Sequence, residues 1–136
     1  MAQPRQIDFA AVGRVAEELF PEALGVWVYG SHADGTARRG SDLDVAILAD
    51  RPLDRLDLFR RGQELALRLS QEVDLVDLRS VSTVLRYEVI ARGVRVAARD
   101  AFSCDLYETA IYAMYQRLNE SQREHLADIA ARGGAR

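Results

Sequence analysis

Val28-Tyr-Gly-Ser-His-Ala-Asp-Gly-Thr-Ala-Arg-Arg-Gly-Ser-Asp-Leu-Asp-Val-Ala-Ile-Leu48 holds two short apolar runs joined by a polar, glycine-broken loop. Its pattern is Gly30-Ser31, ten residues, then Asp42-Leu43-Asp44. In the second run Leu43, Val45 and Ile47 face one way, and Asp42 and Asp44 the other. Carboxylates at i and i+2 of a strand project from one face about 6–7 Å apart, close enough to share divalent cations. A Gly-Ser turn after a buried strand leaves backbone N–H groups free to hold phosphate. Phosphate cradle and metal carboxylates together are what nucleotidyl transfer requires.

Working outward, Phe9, Val12, Ala16, Leu19 and Phe20 recur at helical spacing and predict a first helix capped by Asp8 and broken by Pro21 and Gly25. Gly25–Tyr29 reads as a buried strand with Trp27 in the core, residues 31–37 as a turn or short helix, and Asp42–Leu48 as the second strand. A helix over 54–71 buries Leu58, Phe59, Leu65, Ala66 and Leu69. Glu72–Leu78 is the third strand, and Ser80 caps a helix whose Val81, Val84, Leu85 and Val89 point inward and which Gly93 closes. Val94–Ala98 is a short edge strand.

Residues 100–132 are helical, broken near Asn119-Glu-Ser121, with Tyr107, Ala110, Ile111, Met114 and Leu118 as one apolar stripe and Leu126 and Ile129 as a second. Packing accounts for Tyr107, whereas Tyr112 and Tyr115 could form a partner surface. The mixed Glu and Arg of 117–132 read as a solvated face. The tail Gly133–Arg136 should fray. This order predicts an α/β (α+β) fold with a small mixed sheet covered by helices mainly on one face.

Composition narrows the function. The 136 residues, 49% hydrophobic and 29% charged, suit one domain over 1–136 with a C-terminal helical region at 100–132. A net charge of −3 argues against direct nucleic-acid binding through a broad basic surface. All eighteen basic residues are arginine, which closes the lysyl-adenylate and Walker-lysine routes. Cys104 is the single cysteine, so there is no internal disulfide framework, and without a basic neighbour it reads as a packed thiol. No apolar stretch approaches the ~20 residues of a membrane span, and the N-terminus lacks a secretion-type apolar run. The expected location is cytoplasmic, with no membrane contact.

Magnesium takes oxygen ligands in near-octahedral geometry and keeps several waters, so two or three carboxylates suffice. Asp42 and Asp44 supply two, and a third should come from the neighbouring strand, where Asp74 and Asp77 are available. Strand parity allows only one of them onto the Asp42/Asp44 face. Asp74, at the strand's entry, is the choice, and Asp77 the runner-up. Glu72 and His125 read as solvated, and His32 as a loop histidine.

Gly30-Ser31, ten residues, then Asp42-x-Asp44 resembles the signature of the DNA-polymerase-β-like nucleotidyltransferase superfamily. The small size, Val73-Asp-Leu-Val-Asp-Leu-Arg79 and the tyrosine-bearing C-terminal helix resemble its minimal nucleotidyltransferase (MNT) branch. The likeness runs over residues 9–118 and is most specific at 28–48 and 72–79. It implies a polymerase-β-like fold and an antitoxin, assembled with a HEPN-domain ribonuclease toxin, that transfers AMP from ATP to a tyrosine of that toxin.

It further implies that Asp42, Asp44 and Asp74 are catalytic and bind Mg²⁺, and that Gly30, Ser31, Arg39 and Ser41 bind the nucleotide. One departure is that many members carry arginine where this chain has His32, with Asp34 also in the loop, so the phosphate-facing cation could instead be Arg38 or Arg39. Asp74 is the natural general base for a phenol acceptor. Two other readings stand beside this one. One is a non-catalytic antitoxin acting by occlusion, and the other a small-molecule nucleotidyltransferase completed by a second subunit.

Overall fold

The computed structural model describes residues 6–134. The elements are α1 (Phe9–Leu19), β1 (Ala23–Tyr29), α2 (Ser31–Asp34), β2 (Leu43–Ala49), α3 (Arg55–Leu69), β3 (Val73–Asp77), α4 (Thr83–Arg92), β4 (Val94–Ala98) and α5 (Ala101–Gly134). The four strands form one mixed sheet in the order β3-β2-β1-β4. β1 runs antiparallel to both β2 and β4, while β2 and β3 are parallel and joined through α3.

Strand alternation builds two cores rather than one. Val26 and Val28 of β1 and Leu43, Val45 and Ile47 of β2 pack with Val12, Val15, Ala16 and Phe20 and with Leu65 of α3. Trp27, Tyr29, Ala46 and Leu48 point the other way and pack with Val89 and Ile90 of α4 and Cys104 and Ile111 of α5. The sheet is therefore covered on both faces, not mainly on one as the sequence suggested. The reason is visible in β1: six of its seven residues are buried, so neither face is left for water. Each large side chain fully buried this way is worth about 1.5–3 kcal/mol.

Capping sets the helix starts. Asp8 accepts the N–H of Ala11 at 3.2 Å, and Asp54 accepts that of Asp57 at 3.0 Å. For α4 the cap is Ser82, accepting from Leu85 N–H at 3.2 Å, not Ser80, whose hydroxyl instead donates to Asp77 at 3.1 Å. Two predicted core residues, Phe59 and Val84, face outward, as does Ala110. Each helix already fills its inward stripe with other residues: Leu58, Gly62 and Leu65 in α3, and Leu85, Val89 and Ile90 in α4.

α5 is continuous through Asn119-Glu-Ser121 up to Gly134, and the last two residues of the tail expected to fray lie outside the described residues. Leu118, Leu126 and Ile129 are exposed. Among the described residues no helix is long and apolar enough to cross a membrane.

Candidate active site

Parity and register bring the acidic residues together. Tyr29 pairs with Asp44 across β1 and β2, and Asp44 pairs with Asp74 across β2 and β3. These three side chains form a row across adjacent strands on the sheet face that carries Trp27, Ala46 and Val76 one step further in. The face is thus apolar along its length and acidic at one end. Asp42 lies just before β2, which begins at Leu43, and is exposed, as is Asp74.

The electrostatics follow from this crowding. Asp44 is half-buried, and its carboxyl is pushed above its ordinary range first by burial and then by the charges of Asp74 and Asp42, with His32 pulling weakly the other way. The Tyr29 phenol is pushed well up by burial, reinforced by Asp44 and Asp74. In both groups burial comes first, and the neighbouring carboxylates add to it. Such a place favours a cation.

Gly30 seats Asp44. Its φ of 72° and ψ of −150° suit glycine, and a Cβ there would lie 2.3 Å from Asp44 Oδ2. Its carbonyl accepts from Ala33 and Asp34 N–H at 3.0 and 3.1 Å, turning the chain from β1 into α2. The loop that follows is laced to the body just before Asp42. Ser41 Oγ accepts the Arg38 N–H at 2.8 Å. The Ser41 carbonyl accepts from His32 Nε2 at 3.1 Å and Gln71 Nε2 at 2.9 Å, which places the His32 proton on Nε2. Leu43 N–H donates to the Glu72 carbonyl at 2.8 Å, extending the β2–β3 pairing to the acidic end.

Ser31 is partly buried, while Arg38 and Arg39 sit on the exposed arm of the loop. Ser41 acts here as a clasp that fixes the backbone entering Asp42. Asp34 is engaged by Thr36, whose N–H and hydroxyl both donate to it at 2.9 and 2.5 Å. These bonds, with the Arg92 charge adding less, hold its carboxyl below the usual range. Gln71 and Tyr29 are site neighbours that sequence reasoning missed. Nothing in the sequence distinguishes Gln71 from an ordinary helix end, whereas Tyr29 had a signal: it shares Trp27's parity beside Gly30.

Asp77 is elsewhere. It is buried, accepting from Leu53 N–H at 2.7 Å, Arg79 N–H at 2.9 Å and the Ser80 hydroxyl. The Cys104 thiol donates to the Leu24 carbonyl at 3.3 Å, and burial pushes it up. Contrary to expectation it does have a basic neighbour, Arg95, but that guanidinium is paired with Asp105 and Glu108.

Among the described residues no three His, Cys, Asp or Glu side chains are gathered into a ready-made metal cage. The donor set still suits magnesium, which is usually held by one or two carboxylates together with waters and substrate phosphates.

The family model described as polymerase beta, nucleotidyltransferase, matches residues 15–102, which span this whole constellation. The chain belongs to that family. This nucleotidyltransferase is 31% identical over 132 residues to "Protein adenylyltransferase MntA" of Shewanella oneidensis, covering 97% of this chain and 94% of the relative. Its fold matches a crystal structure described as a toxin-antitoxin with AMP-PNP, at a TM-score of 0.78 and 31% identity, over 90% of this chain and 98% of the other. It also matches the MNT antitoxin in complex with tri-AMPylated Shewanella oneidensis HEPN toxin, at a TM-score of 0.71 and 28% identity, over 89% and 94% of the two chains.

Proposed function

We propose that this nucleotidyltransferase is an antitoxin that transfers AMP from ATP to a tyrosine of a partner HEPN toxin and so silences it, in the cytoplasm and with Mg²⁺. The observation that carries the proposal is the row of Asp44 and Asp74 in register over one sheet face, with Gly30 packed against Asp44. The similarity to a protein adenylyltransferase and to an antitoxin solved with its AMPylated toxin supports the choice of acceptor.

Asp42, Asp44 and Asp74 would hold magnesium, which when bound neutralises charge on the triphosphate. Gly30 and Ser31 would offer backbone N–H groups and a hydroxyl to the phosphates, with Arg39 as the nearby cation. Ser41 fixes the loop through its bonds to Arg38, His32 and Gln71, so that Asp42 enters at a set position. Asp74, the exposed member of the register pair, would accept the phenol proton as the tyrosine oxygen bonds to the α-phosphorus and pyrophosphate leaves.

Incubation of the chain with its partner HEPN toxin, ATP and Mg²⁺, read by intact mass, should add AMP units to the toxin. An unchanged toxin mass would refute the transfer. Asp74→Asn should slow transfer while the Mg²⁺ requirement persists, and full transfer by that variant would remove the general-base role. An Asp42→Asn chain that protects cells as well as wild type would show that occlusion alone suffices.

A further inference from the structure

We propose that the exposed half of α5 is the docking surface for the acceptor protein, an inference that rests on the adenylyltransferase reading. α5 is held to the body through Cys104 and Ile111 in the core and by Tyr115, stacked on Tyr87 of α4 with ring centroids 3.7 Å apart. From Gln116 to Arg132 every residue except Asn119 is exposed. That stretch is a helix of about 25 Å. Its apolar residues are not scattered. At 3.6 residues per turn, Leu118 and Ile129 fall on the line of the buried Ile111, with Leu126 beside it. The core-facing stripe of α5 thus runs on past the body, while Arg117, Glu120, Arg123, Glu124, Asp128 and Arg132 balance one another in charge. An isolated helix of this length is marginal in water, and most helical stability in proteins comes from packing an apolar face.

Two arguments select the occupant. Leu118, Leu126 and Ile129 are 36%, 64% and 51% exposed. They offer roughly 300 Å² of apolar surface, against roughly 500 Å² of apolar area in the ~800 Å² per partner of a stable homodimer interface, which is about 65% apolar. A second copy of this chain, meeting stripe to stripe, would bury too little. An acceptor protein that also delivers a tyrosine to Asp74 makes up the difference at the active site. In addition, the sequence match to the protein adenylyltransferase leaves only about 3% of this chain outside it, so nearly all of this overhang belongs to the shared length. The surface fits a helical partner presenting a complementary apolar groove, read through positions 118, 126 and 129.

The test is a Leu126→Glu/Ile129→Glu double variant of the full chain, assayed with its partner HEPN toxin. The expected result is a rise of about tenfold or more in the KM for toxin and in the Kd of the complex. The kcat at saturating toxin, the affinity for ATP–Mg²⁺ and the melting temperature should stay unchanged. Unaltered KM and Kd would overturn the docking surface. So would sedimentation showing a wild-type dimer that the double variant converts to monomer, or a wild-type chain that does not bind the toxin. The two readings fail separately. A wild type that binds toxin without adding AMP, with binding lost in the variant, keeps the docking surface and refutes adenylyl transfer. Equal transfer by both chains does the reverse.

Discussion

The two ends of β3 carry the same residue in opposite circumstances. Asp74 is exposed at the entry, in register with Asp44, and adds its charge to a place where Asp44 and Tyr29 are both pushed up. Three residues on, Asp77 is buried and accepts from two backbone N–H groups and a hydroxyl. One end concentrates negative charge with no hydrogen-bond donor on Asp44 or Asp74 among the described residues. The other disperses a single charge over three donors and ties β3 to the α3 entry and the turn before α4. A carboxylate that the fold satisfies serves architecture, and one that it leaves unsatisfied is the candidate for holding a ligand.

The sharpest way to break this contrast is Asp44→Asn. Transfer of AMP should fall about a thousandfold, the scale of losing a principal charge-stabilising group, while the fold persists. Intact-mass kinetics beside a thermal melt would check both halves. Asp77→Ala should do the opposite. Stranding buried donors around a lost carboxylate should cost about 2–4 kcal/mol in denaturant unfolding, with activity retained by the folded fraction. Gly30→Ala probes the contact between turn and carboxylate. Its positive φ and its overlap with Asp44 should cost about 1–3 kcal/mol and also depress transfer, read by the same two assays. His32→Ala removes one of two bonds to the Ser41 carbonyl. It should weaken ATP binding severalfold, consistent with about 1 kcal/mol for one hydrogen bond, with kcat little changed in steady-state kinetics.

The smallest effect is in pH. Asp44 has its folded pKa raised above the unfolded 3.8, so it favours the folded state at low pH, and that contribution is lost as pH rises through the raised value. Glu22, pulled below 4.5 chiefly by its hydrogen bond to Arg61, has the reverse slope: its contribution is present above the unfolded value and lost as pH falls. The melting temperature of Asp44→Asn should therefore match wild type below pH 3.8, exceed it as pH rises from there through the raised value, and hold a constant lead above it. Added Mg²⁺ should close that gap by stabilising the wild type alone.

Much of this was legible in the residues. Alternation in 43–48 and the position of Gly30 placed the strand and the turn, and parity put Asp74 and Asp77 on opposite faces of the third strand. Less legible was which face each helix would cover. The run Val26–Tyr29 is apolar at every position, so its alternation carries no preference. Phe59 and Val84 show the same limit, since an apolar residue at a helical spacing does not disclose whether the stripe is already full.

By itself, then, the chain's order of residues determined the identities and spacing of the chemical groups and the local elements that bear them, because capping, turns and strand parity are short-range effects. Only the tertiary structure decided that α4 and α5 close the second face, that His32 and Gln71 converge on Ser41, and that α5 runs on past the core. Those outcomes depend on contacts between residues far apart in sequence, whose mutual positions no local pattern encodes.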